Sequence, residues 1–236
     1  MFAFTNRQLV VYINIGKREL TKDRYNMIFS YQEVNRLPVA IIDTFYDEDA
    51  VEKIWQELTF LNNDHRKLKD PKDTGSAWER DESAADGKRY LKQNKAASLD
   101  AVFADRSASN ILIENRKLFS SEVVDELEKL NPIFRYVKYS TADATLISYY
   151  ENQDYYLPHR DDATMTAITW FYKKPKAFSG GNLILEESLE IECMSNRCVI
   201  FPSMMLHSVD EINSITAMHE TNSGRFAISQ FLSYQI

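Results

Sequence analysis

The chain has 236 residues, a formal net charge of -7 at pH 7 and a pI near 5.2. This length fits one domain with a sizeable core, and a hydrophobic content of 44%, with thirteen Phe and thirteen Tyr, lets that core form without cross-links. The acidic balance argues against a general affinity for the nucleic-acid backbone, so a nucleic-acid partner is disfavoured.

Two strands and a helix are predicted in the first quarter of the chain. Residues 9–15 and 38–45 are apolar runs typical of strands. Asp47 then supplies an N-cap for a helix over about 48–61, in which apolar residues recur at helical spacing.

The segment 62–110 differs in character from its flanks. It is polar and charge-rich, and it carries Asp-Pro and Asp-Gly breakers. A connection of this length is either disordered or a functional loop over a site, so it is our candidate for a lid. A second helix is predicted to begin at Ser120 or Ser121 and to end at Asn131-Pro132.

From residue 133 onward the pattern predicts short β-strands separated by turn signals. The predicted runs lie at about 144–150, 155–161, 164–172, 182–187, 189–193, 197–201, 206–209 and 225–234. About eight short strands are typical of a sandwich or jelly roll. We therefore expect an α+β, mainly β fold in a single domain over 1–236, with helices and loops of a support region (1–132) packed on a β double sheet (133–236).

The two cysteines, Cys193 and Cys198, are too few for a disulfide framework. Reduced thiols in a reducing compartment are the favoured interpretation, although the pair could face each other across a hairpin. The first residues lack a basic segment followed by a long apolar run, and no stretch approaches the roughly 20 apolar residues of a membrane span. We expect a cytoplasmic protein without a membrane partner, and the oligomeric state stays open.

Two histidines and an aspartate form a candidate metal site. His159 and Asp161 lie two residues apart in a predicted strand, where alternate side chains project to the same face. His207 returns from a later strand and completes two imidazoles and one carboxylate. Such a set occupies one face of an octahedral metal and leaves the other positions open, which is typical of non-haem Fe(II) oxygenases.

Arg225 is a candidate anion-binding residue. It opens the last predicted strand and shares one face with Ala227, Ser229 and Phe231. A guanidinium on a small, apolar inward face is costly unless it meets an anion, and a ligand carboxylate would satisfy it with a bidentate pair. The alternative is an arginine that turns to solvent at the end of the strand.

Together these residues resemble the core of the 2-oxoglutarate/Fe(II)-dependent dioxygenases, and most closely the prolyl 4-hydroxylase-like branch in its short microbial or phage-type members. The resemblance covers roughly residues 140–234, and the segment from Pro38 to Leu61 is also similar. The matching residues are Tyr149, Tyr156, His159, Asp161, the Ser179-Gly180-Gly181 turn with Leu183, His207, Arg225 and Ser229.

The resemblance implies a double-stranded β-helix, or jelly roll, that holds iron and a cosubstrate. His159, Asp161 and His207 would be the Fe(II) ligands and catalytic residues. Arg225, helped by Ser229, would bind the distal carboxylate of 2-oxoglutarate.

Four further residues receive roles from the same resemblance. Tyr149 would lie near the carboxylate that chelates iron, and Leu183 would pack against the cosubstrate chain. Tyr156 would line the substrate side, where Arg160 is a further candidate contact.

The implied activity is hydroxylation of an unactivated C–H bond with O2, with release of succinate and CO2 and with ascorbate as reductant. A prolyl residue or proline-like molecule is the favoured substrate, so the expected partner is a peptide, a protein or a small molecule. The same core also serves other amino acids, nucleobases and small metabolites. A noncatalytic jelly-roll binding module with a vestigial metal site and a zinc hydrolase with the same ligands stay open as other classes.

Overall fold

The computed structural model describes residues 27–64, 67–74, 77–214 and 221–234. Its helices are α1 Glu48–Asn63, α2 Pro71–Thr74, α3 Leu99–Val102, α4 Asn110–Glu114, α5 Ser121–Leu130 and α6 Arg135–Tyr139. Its strands are β1 Ile28–Val34, β2 Leu37–Asp43, β3 Trp78–Arg80, β4 Lys88–Tyr90, β5 Lys95–Ser98, β6 Ala142–Tyr150, β7 Tyr156–His159, β8 Met165–Phe171, β9 Phe178–Ser179, β10 Leu183–Leu185, β11 Leu189–Ile191, β12 Cys198–Pro202, β13 His207–Val209, β14 Asn213–Ser214 and β15 Arg225–Ser233. The strand predicted at 9–15 lies outside the described residues.

The strands form one large and one smaller sheet. Within the described ranges, seven strands pair in the order β1-β2-β12-β8-β15-β6-β5 and four in the order β11-β10-β13-β7. Two short ribbons, β14 with β9 and β3 with β4, complete the pairing. The mainly β fold and the eight strands predicted after residue 133 are confirmed. The region 1–132, expected only to pack against the β double sheet, also contributes the strands β1, β2 and β5 to the large sheet.

The helix starts follow the capping residues that the sequence indicated. The Asp47 carboxylate accepts a hydrogen bond from the Ala50 N–H (2.9 Å) at the start of α1. The Ser120 hydroxyl accepts from the Val123 N–H (3.4 Å) at the start of α5. None of the helices in the described part of the chain combines the length and apolar character that a bilayer crossing needs.

The two faces of the large sheet bury different apolar clusters. On β15, Phe226 and Ile228 belong to a cluster shared with the helices, whereas Ala227 belongs to a second cluster. Leu183 and Leu185 of the smaller sheet contribute to that second cluster. Strand alternation therefore gives the large sheet a helix-facing side and an inner side that faces the smaller sheet.

Part of the segment 62–110 ties the two sheets together. At its centre, the N–H of Leu157 donates to the Leu91 carbonyl (2.7 Å), and the N–H of Gln93 donates to the Tyr155 carbonyl (3.0 Å), alongside β7. The chain then continues into β5, which pairs with β6 of the large sheet. We call residues 91–98 the bridging segment, because they connect the edge of the smaller sheet to the edge of the large one.

A buried carboxylate on α1 fixes the start of α4. Glu57 accepts hydrogen bonds from the Ser109 hydroxyl (2.6 Å) and the Ile111 N–H (3.0 Å). Substitution Glu57→Ala leaves both buried donors without an acceptor, so we expect the free energy of unfolding to fall by about 2–4 kcal/mol in urea titrations. Glu52→Ala, at an exposed position of the same helix, is the matched control and should change it by less than about 0.5 kcal/mol. Equal losses in the two variants would contradict this role of Glu57.

Candidate active site

The two histidines of the predicted metal site are cross-strand neighbours. His159 ends β7 and His207 begins β13, and the antiparallel pairing sets them opposite each other with ring centroids 4.1 Å apart. Asp161 follows β7 by two residues, and its backbone N–H donates to the Ser203 carbonyl (3.1 Å). The strand pairing and this one hydrogen bond bring the three side chains to a common point.

The three side chains are close enough to hold one metal ion. The Asp161 carboxylate lies 3.8 Å from His159 Nε2 and 3.2 Å from His207 Nε2. One ligand atom from each residue lies within 4.8 Å of the others. An ion bound roughly 2 Å from each ligand atom fits this spacing.

Peptide carbonyls set the orientation of both imidazoles. Nδ1 of His159 lies 2.9 Å from the Leu157 carbonyl oxygen, and Nδ1 of His207 lies 2.9 Å from that of Met205. A carbonyl oxygen only accepts, so each Nδ1 carries the proton and donates it. Both Nε2 atoms are then left with a lone pair for a metal, which is the arrangement that ligating histidines need.

The protonation states suit a metal site. Burial, followed by the close approach of the His207 imidazole, lowers the pKa of His159 to about 4, so the His159 imidazole is neutral at pH 7. Burial alone would raise the pKa of Asp161, but the interaction with His207 and the hydrogen bond from Thr166 Oγ1 (2.7 Å) outweigh it and lower that pKa. Thr166 in turn shares a hydrogen bond with the Ser203 hydroxyl (2.8 Å). Asp161 is therefore an ionised carboxylate held by a hydroxyl pair.

Arg225 is buried on the inner side without an ion-pair partner among the described residues. Its side chain is 1% exposed, and no described carboxylate forms an ion pair with it. Nε and Nη1 of the guanidinium have no hydrogen-bond partner, and neither does Nε1 of the adjacent, buried Trp170. The Tyr150 ring lies 4.5 Å from the guanidinium carbon. Unpaired donors this deeply buried fit an anionic group from a ligand.

A glycine makes room for Arg225. Gly181 adopts φ +71°, and a Cβ built there would lie 2.9 Å from Arg225 Cδ. A side chain at this position would therefore be strained and would push into the arginine. Gly181, in the Ser179-Gly180-Gly181 turn that the sequence resemblance singled out, therefore leaves the space that the Arg225 side chain occupies.

The structure does not bring Tyr149 to this site. Tyr149 packs on Phe226 in the helix-facing cluster (ring centroids 4.5 Å apart), and its hydroxyl accepts from the Gly224 N–H (3.1 Å). Tyr150, which sequence reasoning missed, is the cross-strand partner of Arg225 and lies in the inner cluster. The alternation that places Arg225 on the inner side also places its cross-strand partner Tyr150 there, and this pattern could have identified Tyr150 from the sequence.

Two other predicted cosubstrate contacts lie on the inner side at different depths. Ser229 shares the face of Arg225 but is four residues further along β15, on the order of 13 Å between Cα atoms. Ser229 is therefore not beside the guanidinium and lies nearer the level of Thr166, which pairs with Phe231. Leu183 is fully buried on β10 and pairs with Val209 of β13, the strand that also carries His207.

The predicted substrate-side residues flank the metal-site histidine. The Tyr156 ring stacks on the His159 imidazole, with centroids 3.6 Å apart and an angle of 11°. Burial raises the pKa of Tyr156, so its phenol stays neutral. Arg160 is exposed, and its Nε donates to the Met204 carbonyl (2.9 Å) at the surface.

Comparison with known proteins identifies the fold. No protein-family model matches the sequence, and no curated protein is significantly similar to it. A prolyl-4-hydroxylase from Pseudomonas putida superposes with a TM-score of 0.52 and 12% identity, over 84% of this chain and 93% of that one. An oxidoreductase of the 2OG-Fe(II) oxygenase family from Burkholderia pseudomallei gives a TM-score of 0.51 and 9% identity, over 84% and 85% of the two chains. The resemblance that the motif predicted is confirmed at the level of the fold.

The turn that leads into β7 predicts a dependence of stability on pH. Asp154 is buried there and accepts a hydrogen bond from the Glu151 N–H (2.8 Å). Burial raises the pKa of Asp154 from 3.8 to about 6. The folded chain binds this proton more tightly than the unfolded chain, so the resulting stability is complete below the unfolded pKa and is lost as the pH rises through about 6.

We therefore expect Asp154→Asn to be more stable than the wild type at pH 7, by about 1–3 kcal/mol, and to lack this fall with pH. Urea titrations between pH 4 and pH 7 measure both effects. Asp125→Asn, an exposed carboxylate on α5, is the control and should leave the pH profile unchanged. If the stability of Asp154→Asn changed with pH as the wild type does, Asp154 would not be the source of the pH dependence.

Proposed function

We propose that the chain is an Fe(II)- and 2-oxoglutarate-dependent oxygenase, built as one catalytic domain over 1–236 on a double-stranded β-helix. One observation carries this proposal: the two sheets enclose both a metal-competent set, His159, Asp161 and His207, and a buried Arg225 with unpaired donors. A metal site alone would suit many proteins, and so would a lone buried arginine. The combination suits a metal that works with an anionic cosubstrate, and the fold shared with solved oxygenases supports it.

His159 and His207 would hold the ferrous ion through Nε2, and Asp161 would hold it through a carboxylate oxygen. When bound, iron and 2-oxoglutarate supply the oxidising chemistry: O2 takes two electrons from decarboxylation of 2-oxoglutarate to succinate and CO2 and two from a substrate C–H bond, which becomes C–OH. The chain's own part is to keep the ligands oriented. The carbonyls of Leu157 and Met205 and the hydroxyl of Thr166 do this.

Arg225 would bind the distal carboxylate of 2-oxoglutarate. Its Nε and Nη1 carry unpaired N–H groups that would donate to a carboxylate, and the ion pair would offset the energetic cost of burying the cation. Trp170 Nε1 is a further free donor in the same space, and Tyr150 provides a wall. Tyr150 would thus line the distal end of the cosubstrate, whereas the sequence interpretation put Tyr149 near the carboxylate that chelates iron.

Leu183 and Ser229 would line the space between Arg225 and the metal. Leu183 is fully buried on the smaller sheet, and Ser229 lies part of the way along β15 toward the level of Asp161. A hydroxyl in that position suits the carboxylate that chelates the metal better than the distal carboxylate. We therefore assign Ser229 to the metal end of the cosubstrate.

The proposed substrate is a prolyl residue or a proline-like molecule, offered as a peptide or as a small molecule. Tyr156, stacked on His159, and Arg160, exposed beside it, would contact that substrate. Within 62–110, the β3–β4 ribbon ahead of the bridging segment is the proposed lid that excludes water from the reacting carbon. One solved structure of the same fold is a prolyl-4-hydroxylase, which supports this choice among substrates.

Succinate formation from 2-oxoglutarate, with Fe(II), ascorbate and O2, tests the activity. We expect turnover by the wild type, stimulation by a proline-rich peptide or free proline, and no turnover by His159→Ala, which removes a metal ligand. Arg225→Met should raise the KM for 2-oxoglutarate on the order of 100-fold, because a buried, charge-assisted ion pair is lost. Arg135→Met, a control at an exposed arginine on α6, should behave as the wild type.

Two results would overturn this proposal. Wild-type protein that neither binds 2-oxoglutarate with metal nor releases succinate would favour the noncatalytic class. Hydrolytic activity with zinc and without 2-oxoglutarate would favour the hydrolase class.

The hydroxyl behind Asp161 predicts a separate effect on metal affinity. Thr166→Val keeps the shape of the side chain and removes the hydrogen bond to Asp161, so we expect Mn(II) to bind about 10- to 100-fold more weakly. Thr169→Val is the matched control, because Thr169 lies on the same strand with the opposite parity and faces the helices. Calorimetric titration with Mn(II) measures both. Equal affinities in the two variants would show that Thr166 does not support the metal site.

A further inference from the structure

Lys92 is a buried lysine that the proposed function leaves unused. It lies on the bridging segment and is 4% exposed. Its backbone pairs with Tyr156, and its Nζ lies 5.7 Å from the centroid of the Tyr156 ring, the ring that stacks on His159. Along this segment Lys92 and Asn94 are buried while Gln93 between them is exposed, so alternation turns Lys92 inward.

The Lys92 ammonium has no anionic partner in the parts of the chain described. No hydrogen bond or ion pair joins its Nζ to another residue in those ranges, and its Nζ lies over the Tyr156 ring. Burial lowers the pKa of Lys92 to about 8, so the group is still mostly charged at pH 7. Buried charges in proteins are normally paired or bound to a ligand, which makes an unpaired lysine beside a reaction site informative.

The charges of the proposed complex leave Lys92 without compensation. At the metal end, Asp161 and the chelating carboxylate of 2-oxoglutarate match the two charges of Fe(II). At the other end, the distal carboxylate matches Arg225. Lys92 adds a further positive charge, with no ion-pair partner among the described residues, to an interior in which charges are poorly screened. The remaining species in the reaction is the substrate.

We propose that Lys92 binds a carboxylate of the substrate, so that the substrate is a free amino acid or the carboxy-terminal residue of a peptide. This inference rests on the proposed function and deepens it. A free or terminal proline offers a carboxylate to Lys92, whereas a prolyl residue inside a peptide has none to offer. The Tyr156 ring contacts both Lys92 and His159, so a substrate bound to Lys92 would lie next to the metal-site histidine.

Substrate binding under conditions that do not allow turnover tests whether Lys92 binds a substrate carboxylate. The protein is loaded with Mn(II) and 2-oxoglutarate and titrated calorimetrically with the twenty free amino acids and their carboxamides, starting with L-proline and L-prolinamide. A second arm uses Gly-Gly-Pro with a free or an amidated carboxy terminus and separates a terminal residue from a free amino acid. We expect at least one carboxylate to bind 10-fold or more tighter than its amide.

The variant Lys92→Met removes the charge and keeps an unbranched apolar stem. We expect it to weaken binding of that carboxylate about 10- to 100-fold, to the level of the amide, and to leave 2-oxoglutarate affinity unchanged. Lys95→Met is the matched control on the same segment, where the lysine is partly exposed and paired with Glu151 (3.0 Å). Lys95→Met should keep the wild-type preference for the carboxylate over its amide.

Folding is followed in parallel by thermal unfolding of the metal-free protein. Replacing an unpaired buried charge by an apolar group should raise the unfolding midpoint of Lys92→Met, so a lost carboxylate preference cannot come from unfolding. A lower midpoint would indicate a structural lysine and overturn the inference. So would equal binding of carboxylates and amides by the wild type, absence of binding by both, or loss of 2-oxoglutarate affinity in Lys92→Met.

Failure of the proposed function and failure of the role of Lys92 give different results. Wild-type protein that shows no metal-dependent binding of 2-oxoglutarate would remove the proposed function itself. Normal 2-oxoglutarate binding without any preference for carboxylates would remove only the role of Lys92.

Discussion

The antiparallel pairing of β7 with β13 is the constraint on which the rest of the candidate site depends. It sets His159 opposite His207, two residues that are far apart in the chain, and it leaves Asp161 just beyond the strand end. Every other feature of the site is arranged around this pair. Tyr156 stacks on one of its imidazoles, and the bridging segment runs along the free edge of the same strand. A shift of one residue in this pairing would turn one histidine out of the site.

The large sheet separates two kinds of interior. Its helix-facing side is a continuous apolar core, which stabilises the fold through burial. Its inner side mixes apolar residues with polar groups that lack partners, among them Arg225 and Trp170. Protein interiors normally satisfy such groups, so the asymmetry between the two sides marks where a ligand would complete the structure.

Hydrophobic periodicity and strand parity predicted much of this from the sequence. The eight C-terminal strands, the Asp47 cap and the inward direction of Arg225 follow from local patterns, since alternation and capping act over a few residues. The motif spacing points to Tyr149, but parity on β6 places Tyr150, the cross-strand partner of Arg225, on the inner side instead. Lys92 was missed for a different reason. It lies in a polar stretch without periodicity, and only the long-range pairing with β7 reveals that this stretch turns inward.

The three proposed metal ligands differ in what holds them, and this gives them different tolerances to sequence drift. The imidazoles of His159 and His207 are oriented by main-chain carbonyls, which every residue type supplies. The Asp161 carboxylate is oriented by the side chain of Thr166, which most substitutions would delete. Lineages of this protein could therefore change residues 157 and 205 freely, within the limits of packing, while position 166 stays confined to hydroxyl-bearing residues. Natural variants should therefore differ in residue type at positions 157 and 205 but keep Thr or Ser at position 166, which would distinguish main-chain from side-chain orientation of the ligands.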